Sequence, residues 1–143
     1  MGTTNTCRVV EGRLLEIDVA AGFNQPSDID DQIRLIISAL KTVPHDVKVV
    51  IAADWRPCRL FTPETAEHAI KLFSDLNQRI ERSAILHRFD QATSVLQVVR
   101  LIRETHFDRR RVFTSADDAY AWLDPALNPA EQKRLRDFFA QRV

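Results

Sequence analysis

The chain has 143 residues, 45% of them hydrophobic and 28% charged, which suits one soluble domain with its own core. Lysine plus arginine and aspartate plus glutamate number 20 each, so overall charge argues against binding to nucleic acid or an acidic membrane. The cysteines, Cys7 and Cys58, are far apart in sequence and too few for a disulfide scaffold or a structural zinc site, and are expected to be reduced.

The opening MGTTNTCRVVEG has no long apolar run behind a basic head. No signal peptide is expected, no run reaches the length of a membrane span, and a cytoplasmic location is the default. Residues 6–10 and 13–19 read as strands joined by a turn at Glu11-Gly12, hence a hairpin. A helix over 28–43 follows, with Ile29, Ile33, Ile36, Ile37 and Leu40 on one face, Ser27 or Asp28 as cap and Pro44 as stop. Residues 47–53 form a compact apolar run, as in a central strand covered on both sides.

The next helix opens with Thr62 as cap and Pro63 in its first turn, burying Ala66, Ala69, Ile70, Phe73 and Leu76. A short strand at 83–86 precedes a helix over 91–104 that buries Val95, Leu96, Val99 and Ile102. The last strand is 111–113. Ser115 then caps a helix bearing Ala119, Trp122 and Leu123, and Asn128-Pro129 with Glu131 opens a final helix. The expected fold is a single-domain α/β structure in the order β-β-α-β-α-β-α-β-α-α. It has a mixed, mostly parallel five-stranded sheet with flanking helices.

The opening hairpin, the VKVVIAADW strand and the closing RRRVFTSADDAYAWL resemble the STAS fold of anti-sigma factor antagonists, especially its divergent SpoIIAA-like branch. The resemblance covers nearly the whole of 1–143, with 128–143 as a C-terminal helical addition. It implies a non-enzymatic regulatory or ligand-binding module. In classical antagonists a Ser or Thr after an Asp at the start of the second helix is phosphorylated by a partner kinase. Here that helix begins with Thr62, the Asp-Ser-Ser-Gly pattern is absent and Pro63 follows.

In open α/β sheets ligands bind beyond the carboxyl ends of the parallel strands. Candidate ligand-binding residues at that rim are Asp54, Trp55, Arg56, Arg59, Thr62, His87 and Arg88. Asp54-Trp55-Arg56 can clamp an anion or a planar ring, or Asp54 can hold Arg59 across a turn while Trp55 roofs the core. Thr62 is a helix cap or a phosphosite. A second cluster, Arg79, Arg82, Arg103, Arg109 and Arg110, enters at the opposite end as a docking patch for an acidic partner or as solvated helix ends.

No glycine follows Gly22, so neither a P-loop nor a dinucleotide fingerprint can follow a later strand. The histidines His45, His68, His87 and His106 are scattered, and no catalytic, metal or cofactor set is expected. The partner implied is a regulatory protein or a small anionic or apolar ligand. The competing reading is a small enzyme using Asp54, Arg56, Arg59 and His87.

Overall fold

In the computed structural model, which describes residues 4–141, the chain opens with an antiparallel hairpin of β1 (Thr6–Glu11) and β2 (Leu14–Asp18). Its turn needs a glycine twice over. Gly12 has φ +56°, and a Cβ there would collide with the Glu131 carboxylate. That carboxylate accepts the Arg13 N–H (2.8 Å) and the Asn128 N–H (2.9 Å), so one buried glutamate ties the hairpin to the last helix.

Helix α1 (Pro26–Leu40) starts ahead of the predicted 28, because Pro26 suits the first turn and Asp28 reaches back to the Asn24 and Gln25 N–H groups. Ile29, Ile36 and Leu40 are buried as expected, but the row is completed by Gln32 and Ala39 while Ile37 is exposed. Strand β3 (Val49–Asp54) is buried along its whole length. Helix α2 (Pro63–Ser74) buries Thr65, Ala69 and Phe73, with Ala66, Ile70 and Leu76 packed at the margin.

Strand β4 (Ile80–Leu86) begins before the predicted 83. Ile80 enters the core opposite Val49, and the polar Glu81-Arg82 pair after it masked the strand in the sequence. Helix α3 (Ala92–Glu104) turns Ser94, Val98, Leu101 and Ile102 inward and leaves Leu96 69% exposed. Val95, Leu96, Val98 and Val99 are close neighbours, so two helical phases fitted the pattern, and the buried Ser94 decides between them. With no glycine available, α3 ends through His106 in the left-handed region at φ 53°.

After β5 (Arg110–Phe113) come α4 (Ala116–Leu123), capped by Ser115, and α5 (Pro129–Ala140), capped by Asn128 with Glu131 in return. The sheet order is β1-β2-β3-β4-β5, with every pair after the hairpin parallel. One face packs Leu15, Ile51 and Ile85 with Ile29, Phe73 and Val98 of α1, α2 and α3. The other packs Leu14, Val50 and Leu86 with Leu123, Leu135 and Phe139 of α4 and α5. Each fully buried Leu or Phe is worth about 1.5–3 kcal/mol. The final helix, expected as an addition to the fold, therefore supplies much of one core.

Candidate functional site

The rim is built by the loops that leave β3 and β4. The ladder runs slightly past both strands, Trp55 N–H donating to Leu86 O (2.9 Å) and His87 N–H to Phe113 O (2.8 Å). This carries Trp55 and His87 below the surface. Trp55 is buried among Phe23, Phe61 and Phe73, with ring centroids 5.3, 6.0 and 6.0 Å away, so it belongs to the core and is no open wall of the rim.

Asp54 pairs with Arg56 and not with Arg59. Its carboxylate accepts the Arg56 backbone N–H (3.0 Å), Nε (3.0 Å) and Nη2 (2.8 Å), and Nη2 also donates to Phe139 O (2.7 Å). A two-residue spacing allows this close return, and the guanidinium then braces α5. Arg59 is exposed and makes no hydrogen bond or ion pair among the described residues, and Leu60 beside it is 58% exposed.

Thr62 acts as the cap. Its Oγ1 accepts the Thr65 N–H (3.2 Å) and shares a hydrogen bond with Thr65 Oγ1 (2.8 Å). A residue the sequence did not flag, Gln97, holds the loop to α3, accepting from Phe61 N–H and donating to Phe61 O, both at 2.8 Å.

Across the groove, Arg88 gives two hydrogen bonds to Asp90 (2.9 and 2.7 Å), which raises the arginine and lowers the carboxyl from their ordinary pKa values. Phe89 stands between them, 80% exposed. Buried His87 accepts the Arg88 N–H at Nδ1 (2.7 Å), so its neutral ring carries the proton on Nε2, which has no partner among the described residues. Burial first, and the Arg88 charge second, hold His87 below the usual imidazole range, against the opposing pull of Asp54.

These loops enclose a groove of about 710 Å³, lined by Arg56, Arg59, Leu60, Arg88, Thr93 and Ser94 among others. The α3 N-terminus opens on it, with no side-chain cap at Gln91 and no acid in its first turn. The structure thus brings Arg56, Arg59 and Arg88 together around one groove, buries Trp55 and His87 outside its lining, and keeps Thr62 in its helix cap. Phe89 and Leu60 were missed, although a lone Phe between Arg88 and Asp90 is a readable signal.

The opposite arginine cluster is divided by the sheet. Arg82 donates to Trp122 O (2.7 Å) and stacks on that indole with Arg111, at 4.4 and 3.8 Å from the ring centre. Arg110 is buried on the other face, whereas Arg103 and Arg109 are exposed, Arg109 lying over Phe107. Arg79 reaches Val47 O at 3.4 Å. A docking patch that includes Arg110 is therefore corrected: its guanidinium is committed inside the fold.

Among the described residues no three of His, Cys, Asp or Glu gather as metal ligands, and no helix is long and apolar enough to cross a membrane. Burial pushes the Cys7 thiol up to about 12, far from a reactive thiolate. The site and fold together define a mixed α/β domain with a cationic, partly apolar rim at the carboxyl ends of its parallel strands. Compared with known proteins, the chain matches no family model, no curated protein and no solved structure.

Proposed function

We propose that this chain is a STAS-like, SpoIIAA-like regulatory module that acts by binding, and that its rim docks an acidic segment of a partner protein carrying an apolar anchor. The observation that carries this reading is Phe89, 80% exposed in the loop between the paired Arg88 and Asp90. Among the described residues, three of the six exposed large hydrophobics, Leu60, Phe89 and Leu96, belong to the two rim loops and the first turns of α3. Burying an exposed Phe yields about 1.5–3 kcal/mol, and aromatic and arginine side chains are enriched at interface hot spots. Arg59, with no ion pair of its own among the described residues, is available to a partner carboxylate without breaking an existing contact.

A catalytic use of the same residues finds less support. Asp54 is occupied by Arg56, and His87 is buried and neutral. The test is selection of binders from a random peptide library, followed by mapping of amide shifts in the complex. Acidic peptides with an aromatic or aliphatic anchor should emerge, and shifts should concentrate in 56–60 and 88–96. Selected peptides that map to the opposite end of the sheet would overturn the reading.

A further inference from the structure

Under α1, α2 and α3 the cross-strand row Leu15, Ile51, Ser83, Arg110 starts apolar and ends polar. Ser83 and Arg110 are register partners, so their side chains leave adjacent strands side by side. Both line a cavity of about 40 Å³ whose other walls include Ile36, Ile51, Trp55 and Phe73. Gln32 enters it from α1. This side chain is 1% exposed, and neither Nε2 nor Oε1 has a hydrogen-bond partner among the described residues. An amide so placed costs about 1–3 kcal/mol, and a native core normally answers it.

Arg110 raises the same question with a full charge. It donates to Asn77 Oδ1 (2.8 Å), Thr105 Oγ1 (3.0 Å) and Phe73 O (3.2 Å), all neutral acceptors. No carboxylate lies within ion-pair distance of it among the described residues. Burial lowers its pKa only to about 10, so it remains a cation at neutral pH. A buried charge without a counter-charge is costly, and the side chains lining the cavity offer donors in the Arg110 guanidinium, the Ser83 hydroxyl and Gln32 Nε2, against the acceptor Gln32 Oε1.

Size limits the ligand to a water or a small ion, and the uncompensated Arg110 charge favours an anion. The cavity exceeds the roughly 30 Å³ share of one water and falls far below the roughly 300 Å³ of a pocket for an organic molecule. We propose that this cavity is a binding site for a single small monovalent anion of the halide class, held by Arg110, Gln32 and Ser83. The ion supplies the missing counter-charge and accepts from the Gln32 amide. The cavity shares no lining residue with the rim groove.

Trp55 lines the cavity and reports on it, because bromide quenches indole emission on contact. The chain has two tryptophans, and Trp122→Phe leaves Trp55 alone. Sodium bromide titrated against sodium gluconate at constant ionic strength should quench Trp55 along a saturating curve, and chloride should reverse it. In Gln32→Leu, checked for folding by circular dichroism, the midpoint should rise at least tenfold. Quenching linear in bromide and indifferent to chloride, or an unchanged midpoint in the folded variant, would overturn the proposal. Should that variant not fold, anomalous diffraction from bromide-soaked crystals of the unaltered protein decides: a peak beside Arg110 and Gln32 supports the site, and water density alone refutes it.

Discussion

Glu16 and Arg134, 118 residues apart in the chain, meet in a two-bond ion pair at 2.6 and 2.7 Å across the α5 face of the sheet. Glu16 is buried on β2, and Arg8 stands 3.7 Å from the same carboxylate. A charge on a sheet face needs such a partner, so α5 is required by the strand it covers. Arg134→Ala should lower stability by about 2 kcal/mol or more, because it removes both hydrogen bonds to a buried carboxylate and leaves it only the longer Arg8 contact. Replacing both residues by Leu should recover most of that loss. Urea unfolding of the three variants checks it, and a single variant within about 0.5 kcal/mol of the parent would mean Glu16 does not depend on α5.

The two residues with left-handed backbone that matter most should respond in opposite directions. At Gly12 any side chain meets Glu131 and also takes on unfavourable φ, so Gly12→Ala should cost about 2 kcal/mol or more. His106 already bears that strain at φ 53°, and His106→Gly should raise stability by about 1 kcal/mol. Thermal unfolding gives both signs. Equal losses at the two positions would contradict the assigned backbone.

Much of this fold was readable because its punctuation is chemical. Thr62-Pro63, Ser115 and Asn128-Pro129 with Glu131 each announce a helix start, and the apolar run at 47–53 announces the central strand. What stayed hidden depends on pairing across the chain. The phase of α3 rests on Ser94 packing inward, and the first residues of β4 are polar although paired. Arg110 looked like one of a basic run, and only the third dimension shows it buried on the face opposite Arg111's indole contact. At the rim the cations could be read from the sequence, and Trp55 over the core was one of its two readings, while Phe89 was overlooked between Arg88 and Asp90.

His87 gives the stability a pH dependence with a definite sign. Its folded pKa lies below the ordinary value, so on acidification the unfolded chain takes up the proton first, near pH ~6.5. Stability should therefore fall as pH drops through that value and keep falling until the folded ring protonates. Glu81 and Asp90, held low by Arg13 and Arg88, add their losses only below about pH 4.5. In His87→Gln the decline between about pH 7 and 5 should flatten. Urea midpoints at the two pH values check this, and an undiminished decline would assign it to another group.

The docking role of the rim stands or falls on Phe89. Because its side chain is exposed, Phe89→Ala should leave the thermal midpoint nearly unchanged, and Arg59→Ala likewise. Calorimetry with a library-selected acidic peptide at physiological salt then isolates binding. Loss of the aromatic anchor should weaken affinity about 30-fold or more, in line with about 2 kcal/mol for an interface hot spot. Loss of Arg59 should weaken it less and reduce its salt dependence. Unchanged affinity in a folded Phe89→Ala variant would contradict the account, because the residue that carries it would then contribute nothing to binding.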